Sequence, residues 1–353
     1  MKRATTTALM TGAAIAGAGA LCAGAATVAL FRGVSKIASR RLQGKVVLIT
    51  GGSRGLGLAM AEEFGRRGAR LVLTARDPME LDRARSLLTK RGAATDGDIV
   101  VIPADLRRME EVERLIEQAT DAFGPIDILV NNAGVITVGP VENQSAQDFY
   151  DVMSSNFFTG LHCSLAVLPQ MLRRRSGTIV NITSIGGKIA VPHLLPYTAS
   201  KFAAVGLSQG LNAELRSKGI HVVTVCPGLM RTGSHLQALF TGDAEREYRW
   251  FSFSASLPGA TTSAAAAARR IVRAVLLKES EIAITPQAIV AARSASLVPE
   301  AIALAMSITN RFLPSPVQES REARPGAHFR GAEFKPVTAI GNAAARRYNQ
   351  TAT

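Results

Sequence analysis

The run KVVLIT at 45–50, followed by Gly51-Gly52-Ser53-Arg54-Gly55-Leu56-Gly57, narrows the fold of this chain more than any other stretch. Its β-branched, apolar residues predict a buried strand, and the pattern from there to about residue 68 predicts a helix. A glycine turn between strand and helix lets a phosphate approach the N–H groups at the helix N-terminus. Further strand-like runs at 69–75, 99–106, 126–134, 178–180, 220–228 and 281–285 alternate with helical patterns, and no internal repeat interrupts them. Such alternation predicts an α/β fold, a doubly wound parallel sheet with helices on both faces.

Polar chemistry gathers where these runs end. The second ends at Arg76. An acidic residue there would grip the ribose 2′-hydroxyl of a dinucleotide, whereas a cation suits a 2′-phosphate. Arg54, inside the glycine turn, adds a second cation, so the sequence leans to NADP(H). Asp77 reads as the cap of a helix starting near Pro78. Asp105 ends the third run, placed either for an adenine contact or for helix capping. The fourth ends in Asn131-Asn132-Ala133-Gly134, too small and polar for core, and reads as a turn beside the cofactor. Asn156 falls in a long helical stretch at about 145–173, where an asparagine by itself is usually surface.

Ser184 follows the β-rich 178–180 run, and Tyr197 and Lys201 open a helical pattern that continues through Leu215. Four residues apart on a helix, Tyr197 and Lys201 share one face. A phenol titrates at roughly 10, and a nearby ammonium favours the phenolate, which makes the pair a candidate proton donor and acceptor. Ser184 offers a hydroxyl to the same reacting oxygen. Taken alone, Tyr-x-x-x-Lys equally fits a solvated helix face.

In order and spacing, Thr50-Gly51-x-x-x-Gly55-x-Gly57, Asp105, Asn131-Asn132-Ala133-Gly134, Asn156, Ser184, Tyr197-x-x-x-Lys201, Pro227-Gly228 and Thr232 resemble the short-chain dehydrogenase/reductase family, core type, over about residues 42–285. The resemblance implies one Rossmann-type domain with about seven parallel strands, and a catalytic set of Asn156, Ser184, Tyr197 and Lys201. By the same resemblance, Tyr197 exchanges the proton with the substrate oxygen and Ser184 polarises that oxygen. Lys201 holds the nicotinamide ribose and lowers the phenol pKa, and Asn156 positions a water in the relay. The implied cofactor positions are Gly51, Ser53, Arg54, Gly55, Leu56, Gly57, Arg76, Asp105, Leu106, Asn132, Ala133, Gly134, Tyr197, Lys201, Pro227, Gly228 and Thr232.

The 353 residues are 47% hydrophobic, enough for a full core, and carry a net charge of +14. That charge fits nucleic acid, an anionic membrane or a phosphorylated ligand, but no basic recognition helix or zinc-finger spacing supports nucleic acid. Cys22, Cys163 and Cys226 stand apart, and the five histidines do not cluster, so neither a disulfide framework nor a metal site is expected. Residues 8–31 carry no charge and are long enough to span a bilayer. They read as a retained membrane anchor, with a cleaved signal peptide and a peripheral helix as alternatives. Arg32, Lys36, Arg40, Arg41 and Lys45 then favour a catalytic domain facing the cytoplasm.

Four regions result: an apolar segment and basic linker at 1–41, an NADP-binding oxidoreductase domain at 42–285, an apolar helical extension at 286–313, and a loosely ordered basic tail at 314–353. Phe240, Tyr248, Trp250, Phe251 and Phe253 fall in a segment at 229–259 expected to fold over the site, either lining it or packing the lid. With Ile185, Val191, Leu194 and Leu195 they point to a lipophilic alcohol or carbonyl as substrate. The leading reading is an NADP(H)-dependent oxidoreductase that interconverts a secondary alcohol and a carbonyl. The alternative is a catalytically silent NADP(H)-sensing protein attached to a membrane. The two long helices of the family's pattern lead to the expectation of a homo-oligomer.

Overall fold

Seven parallel strands form the centre of the computed structural model, which describes residues 42–257, 259–317, 322–332 and 335–351. They are β1 (Val46–Thr50), β2 (Arg70–Ala75), β3 (Ile99–Pro103), β4 (Ile128–Asn131), β5 (Gly177–Ile182), β6 (Ile220–Pro227) and β7 (Glu281–Ile284). Their spatial order is β7-β6-β5-β4-β1-β2-β3, with every neighbouring pair parallel. The order reverses between β1 and β4, which is where open α/β sheets leave a crevice at their carboxyl ends. This is the doubly wound α/β fold that the alternating pattern predicts.

β1 shows why the sheet needs covering on both sides. Val46 and Leu48 join the cluster beneath α3 (Met109–Phe123) and α5 (Thr159–Arg174), while Val47 and Ile49 are fully buried outside it. Successive side chains of a strand point to opposite faces, so a run buried on both must be continuously apolar. Each such side chain contributes about 1.5–3 kcal/mol on burial. α3 meets the sheet through Val112, Leu115, Ile116 and Ala119, the spacing of one helix face. α1 (Gly55–Gly65) packs against α8 (Ala264–Leu277), and α3 packs against α5.

Asp77 does cap a helix. Its carboxylate accepts from the N–H groups of Met79 at 2.8 Å and Glu80 at 3.3 Å, opening α2 (Pro78–Lys90) with Pro78 in the first turn. The stretch expected as one helix at 145–173 is instead α4 (Ala146–Met153), a π-helical turn (Ser154–Phe158) and α5. The π turn inserts at Asn156, and such insertions are common at functional sites. α6 (Leu195–Leu215) carries Tyr197 and Lys201 in its first two turns.

The segment at 229–259 contains α7 (Ala244–Ser254) and a short strand, Leu239–Phe240, that pairs with Thr137–Val138 on one side and Arg324–Pro325 on the other. Phe240, Tyr248 and Phe251 form their own core with Val138, Ala238 and Ala244. Of the two roles open to these aromatics, packing the lid is the one they take.

Beyond β7 lie α9 (Pro286–Ser294), α10 (Pro299–Asn310) and α11 (Lys335–Arg347). Of the tail expected to be loosely ordered, the described residues at 314–332 are mostly exposed, whereas its end packs down. Ala345, Tyr348, Asn349 and Gln350 are buried, and Gly44–Thr353 clusters as one compact unit. The sequence signal was weak because α11 buries small and polar residues rather than an apolar stripe. The apolar segment at 8–31 and the basic linker lie outside the described residues. Among the described residues no helix is long and apolar enough to cross a membrane.

Candidate active site

Thr50, the last residue of β1, joins the two loops at the point where the strand order reverses. Its hydroxyl donates to Val130 O at 3.3 Å and accepts from the backbone N–H groups of Asn132 at 2.9 Å and Ala133 at 3.0 Å. Asn132 returns the contact, its Nδ2 donating to Thr50 O at 3.0 Å and Gly51 O at 3.1 Å. The glycine turn and the Asn131–Gly134 turn therefore behave as one unit. Two glycines are required by geometry. Gly51 has φ of 60°, and a Cβ on Gly57 would lie 2.1 Å from Gly51 O. Asn131 is not at the surface of the site. Its Nδ2 donates to Asn181 Oδ1 at 2.9 Å and Ser164 Oγ at 3.0 Å, bracing β4 against β5 and α5.

The two expected cations differ. Arg54 Nη1 pairs with Glu80 Oε1 at 2.6 Å, and Ser53 Oγ donates to Glu80 Oε2 at 3.0 Å, so Arg54 is already neutralised. Arg76, at the end of β2, is exposed, lines the cleft and makes no ion pair or hydrogen bond among the described residues. Asp105 caps no helix, since α3 begins after Arg108. Arg107 holds it instead, Nε to Oδ1 at 2.9 Å, and this bond draws the Asp105 carboxyl below its usual range. Asp105 and Leu106 both line the cleft.

The proton-handling residues meet at the start of α6. The Tyr197 phenol hydrogen-bonds Ser184. Burial pushes the phenol pKa up, and the Ser184 bond opposes that shift without cancelling it. Lys201 is 5% exposed; its Nζ donates to Ile182 O at 3.1 Å and lies 5.6 Å from the Tyr197 ring centre. Burial pushes this ammonium down to about 8. The resemblance implies a lowered phenol pKa; here the direction is upward, with burial the largest cause and the Ser184 bond opposing it. Asn156 is buried: its Oδ1 accepts from Val135 N–H at 2.7 Å, and its Nδ2 donates to Val135 O at 3.0 Å and Ser200 Oγ at 2.9 Å. Ser200 Oγ in turn donates to the Tyr197 carbonyl at 2.7 Å. Asn156 therefore joins the π turn to the helix that carries Tyr197. Gly134 makes this possible, as a Cβ there would lie 2.8 Å from Asn156 Oδ1.

These groups surround a cleft of about 630 Å3. Gly51, Ser53, Arg54, Gly55, Leu56, Arg76, Asn132, Ala133, Gly134, Tyr197, Lys201 and Thr232 reach its wall. Gly57 and Asn156 are buried behind the wall, and Ser184, half-buried, adjoins it through its bond to Tyr197. Pro227 ends β6, and Gly228 N–H donates to Ile284 O at 2.9 Å, so both belong to the β6–β7 edge. Glu80, Arg107, Gln237 and Gln350 line the cleft without having been expected. Glu80 was the one open to inference, lying in the first turn of the helix that Asp77 caps.

The family model described as short chain dehydrogenase matches residues 45–239. A "Dehydrogenase/reductase SDR family protein 7-like" from Anopheles gambiae is 34% identical over 70% of this chain and 77% of its own length. The 3-oxoacyl-acyl-carrier-protein reductase FabG of Haemophilus influenzae is 35% identical over 54% of this chain and 76% of its own. The crystal structure of a short-chain dehydrogenase from Streptomyces avermitilis superposes with a TM-score of 0.63 at 28% identity, covering 76% of this chain and 97% of that one.

Proposed function

The chain belongs to the short-chain dehydrogenase family, oxidoreductases acting on CH–OH groups with a nicotinamide cofactor, and from that premise we propose that it interconverts a secondary alcohol and a carbonyl using NADP(H). The observation that carries the proposal is the Tyr197–Ser184 hydrogen bond, with Lys201 one turn away, in the wall of a cleft that begins at the glycine turn.

The residues fit a dinucleotide. Gly55 and Leu56 bring the N-terminus of α1 to the cleft, where backbone donors and the helix dipole favour a phosphate. Arg76 makes no ion pair among the described residues, which supports a 2′-phosphate; Arg54 is held by Glu80 and adds less. The bound cofactor supplies the hydride. Tyr197, its pKa raised, keeps its proton through the neutral range and can give it to a carbonyl oxygen as that oxygen gains charge. Ser184 orients the phenol and offers its hydroxyl to the same oxygen. Lys201 would hold the nicotinamide ribose, and Asn156 fixes the backbone of Val135 beside it.

A lipophilic substrate is part of the proposal. Val135, Ile136, Met230 and Ala238 give the cleft an apolar side near Tyr197. So is a homo-oligomer, since Phe158, Leu165 and Leu172 recur every seven residues and are 42%, 47% and 36% exposed, with Phe202 on α6 44% exposed.

Turnover of NADPH and NADH by the full chain, across lipophilic and small hydrophilic carbonyls, tests the whole reading. NADPH and the lipophilic carbonyls are expected to be preferred. Tyr197→Phe should lose about 100- to 10,000-fold in rate, and Arg76→Asp should move the preference towards NADH. A wild-type preference for NADH, or full activity in Tyr197→Phe, would contradict it.

A further inference from the structure

The dinucleotide reading of the cleft is the premise here, and the turn after α11 contributes to the wall of that cleft. After α11, Asn349 adopts a left-handed conformation with φ of 56°, and Gln350 N–H donates back to Ala345 O at 2.9 Å. This pairing reverses a chain at a helix end, and asparagine tolerates it better than most residues. The reversal directs three consecutive residues at the glycine turn. Tyr348 O accepts from Gly55 N–H at 2.8 Å. Asn349 Nδ2 donates to Ser53 O at 3.0 Å and Glu80 O at 3.1 Å. Gln350 O accepts from Gln237 Nε2 at 3.1 Å, and its side chain lines the cleft.

Two observations favour a ligand role over simple packing. Gly55 N–H is one of the first-turn donors that a helix leaves open, and Tyr348 takes it from any incoming phosphate. Over the same glycine, Gln350 Nε2 sits 2.6 Å from where a Cβ would be, replacing the lost donor. The second observation is Gln350 Oε1. The residue is 6% exposed, and this oxygen has no hydrogen-bond partner among the described residues. A buried acceptor left unpaired is costly, and such groups call for an explanation. A dinucleotide satisfies both ends of the amide, because ribose hydroxyls donate and pyrophosphate oxygens accept.

We propose that Gln350 is a cofactor ligand, its amide bridging a ribose hydroxyl and the pyrophosphate at the N-terminus of α1. Asn349 is the positioning residue that fastens it to Ser53 and Glu80. The C-terminal turn is then a wall of the dinucleotide site rather than an appendage.

The test measures NADPH and NADH affinity by calorimetry, with thermal melting with and without cofactor, on the full chain and on Gln350→Ala. The side chain makes no hydrogen bond among the described residues, so melting without cofactor should be unchanged. Affinity should fall about 10-fold or more, and the cofactor-induced rise in Tm should shrink accordingly. Should Gln350→Ala also melt early on its own, the near-isosteric Gln350→Glu decides: its charge opposes the pyrophosphate, so it should bind more weakly than Gln350→Ala. Unchanged affinity in both variants overturns the inference and leaves the dinucleotide reading intact. Tighter binding overturns it too, since the turn would then be a plug. Wild-type protein that binds neither nucleotide overturns the dinucleotide reading, and this inference with it.

Discussion

Lys201 sets the sign of the expected pH response. With burial holding its pKa down to about 8, the ammonium is charged below that pH and neutral above it. Tyr197 shifts the other way, so the phenol keeps its proton across the same range. For carbonyl reduction the proposed proton donor is therefore present throughout, and the charge proposed to hold the ribose is lost as pH rises through about 8. A falling limb centred there is expected in kcat/KM for the reduced cofactor. Lys201→Arg should keep some activity without that limb, because a guanidinium stays charged. A wild-type profile that is flat from pH 6 to 9 would contradict the role given to Lys201. For alcohol oxidation the sign reverses at Tyr197, which must lose its proton, so that rate should climb with pH. Spacing alone put Tyr197 and Lys201 on one helix face. What it did not contain is the direction of either shift, which depends on burial and on the Ser184 bond.

Among the elements, the π turn at Ser154–Phe158 has the most consequences. One extra residue in the helix turns Asn156 inward, onto Val135 and Ser200, in a stretch whose periodicity reads as an ordinary helix. The same insertion starts the exposed series Phe158, Leu165 and Leu172. Apolar residues seven apart lie on one side of a helix, and exposure of three in a row is the observation behind the proposed contact face. Leu165→Glu is expected to lower the mass measured by light scattering to that of a single chain, with the far-ultraviolet dichroism preserved. A wild-type chain that already runs as a monomer would remove this part of the account. The strands were legible because each carries a short apolar, β-rich run. α11 was not, since it buries Thr338 and Ala345 while Ile340 is exposed, which leaves no apolar stripe to read.

At the scale of the whole molecule, the site is assembled from parts far apart in sequence. Thr50 binds the turn after β4, Asn156 reaches Ser200, and Gln350 lies over Gly55. The first could be inferred from the order of the strands, because the residues at the carboxyl ends of β1 and β4 must meet where that order reverses; the second could not, because the periodicity around Asn156 reads as an ordinary helix. The third could not, as nothing in the spacing of the tail says which loop it returns to. Arg54 shows the converse. It was placed correctly beside the cleft, and its charge is nonetheless spent on Glu80, a partner 26 residues away. The central claim is that this cleft brings a reduced nicotinamide and a carbonyl together beside Tyr197. The most direct test follows deuterium from NADPH labelled at both C4 positions into the product of the best carbonyl found. The account predicts label on the new carbinol carbon, about 100-fold or more slower formation in Tyr197→Phe, and the same labelled position in both. Product without label, or labelled product formed equally fast by Tyr197→Phe, would contradict it.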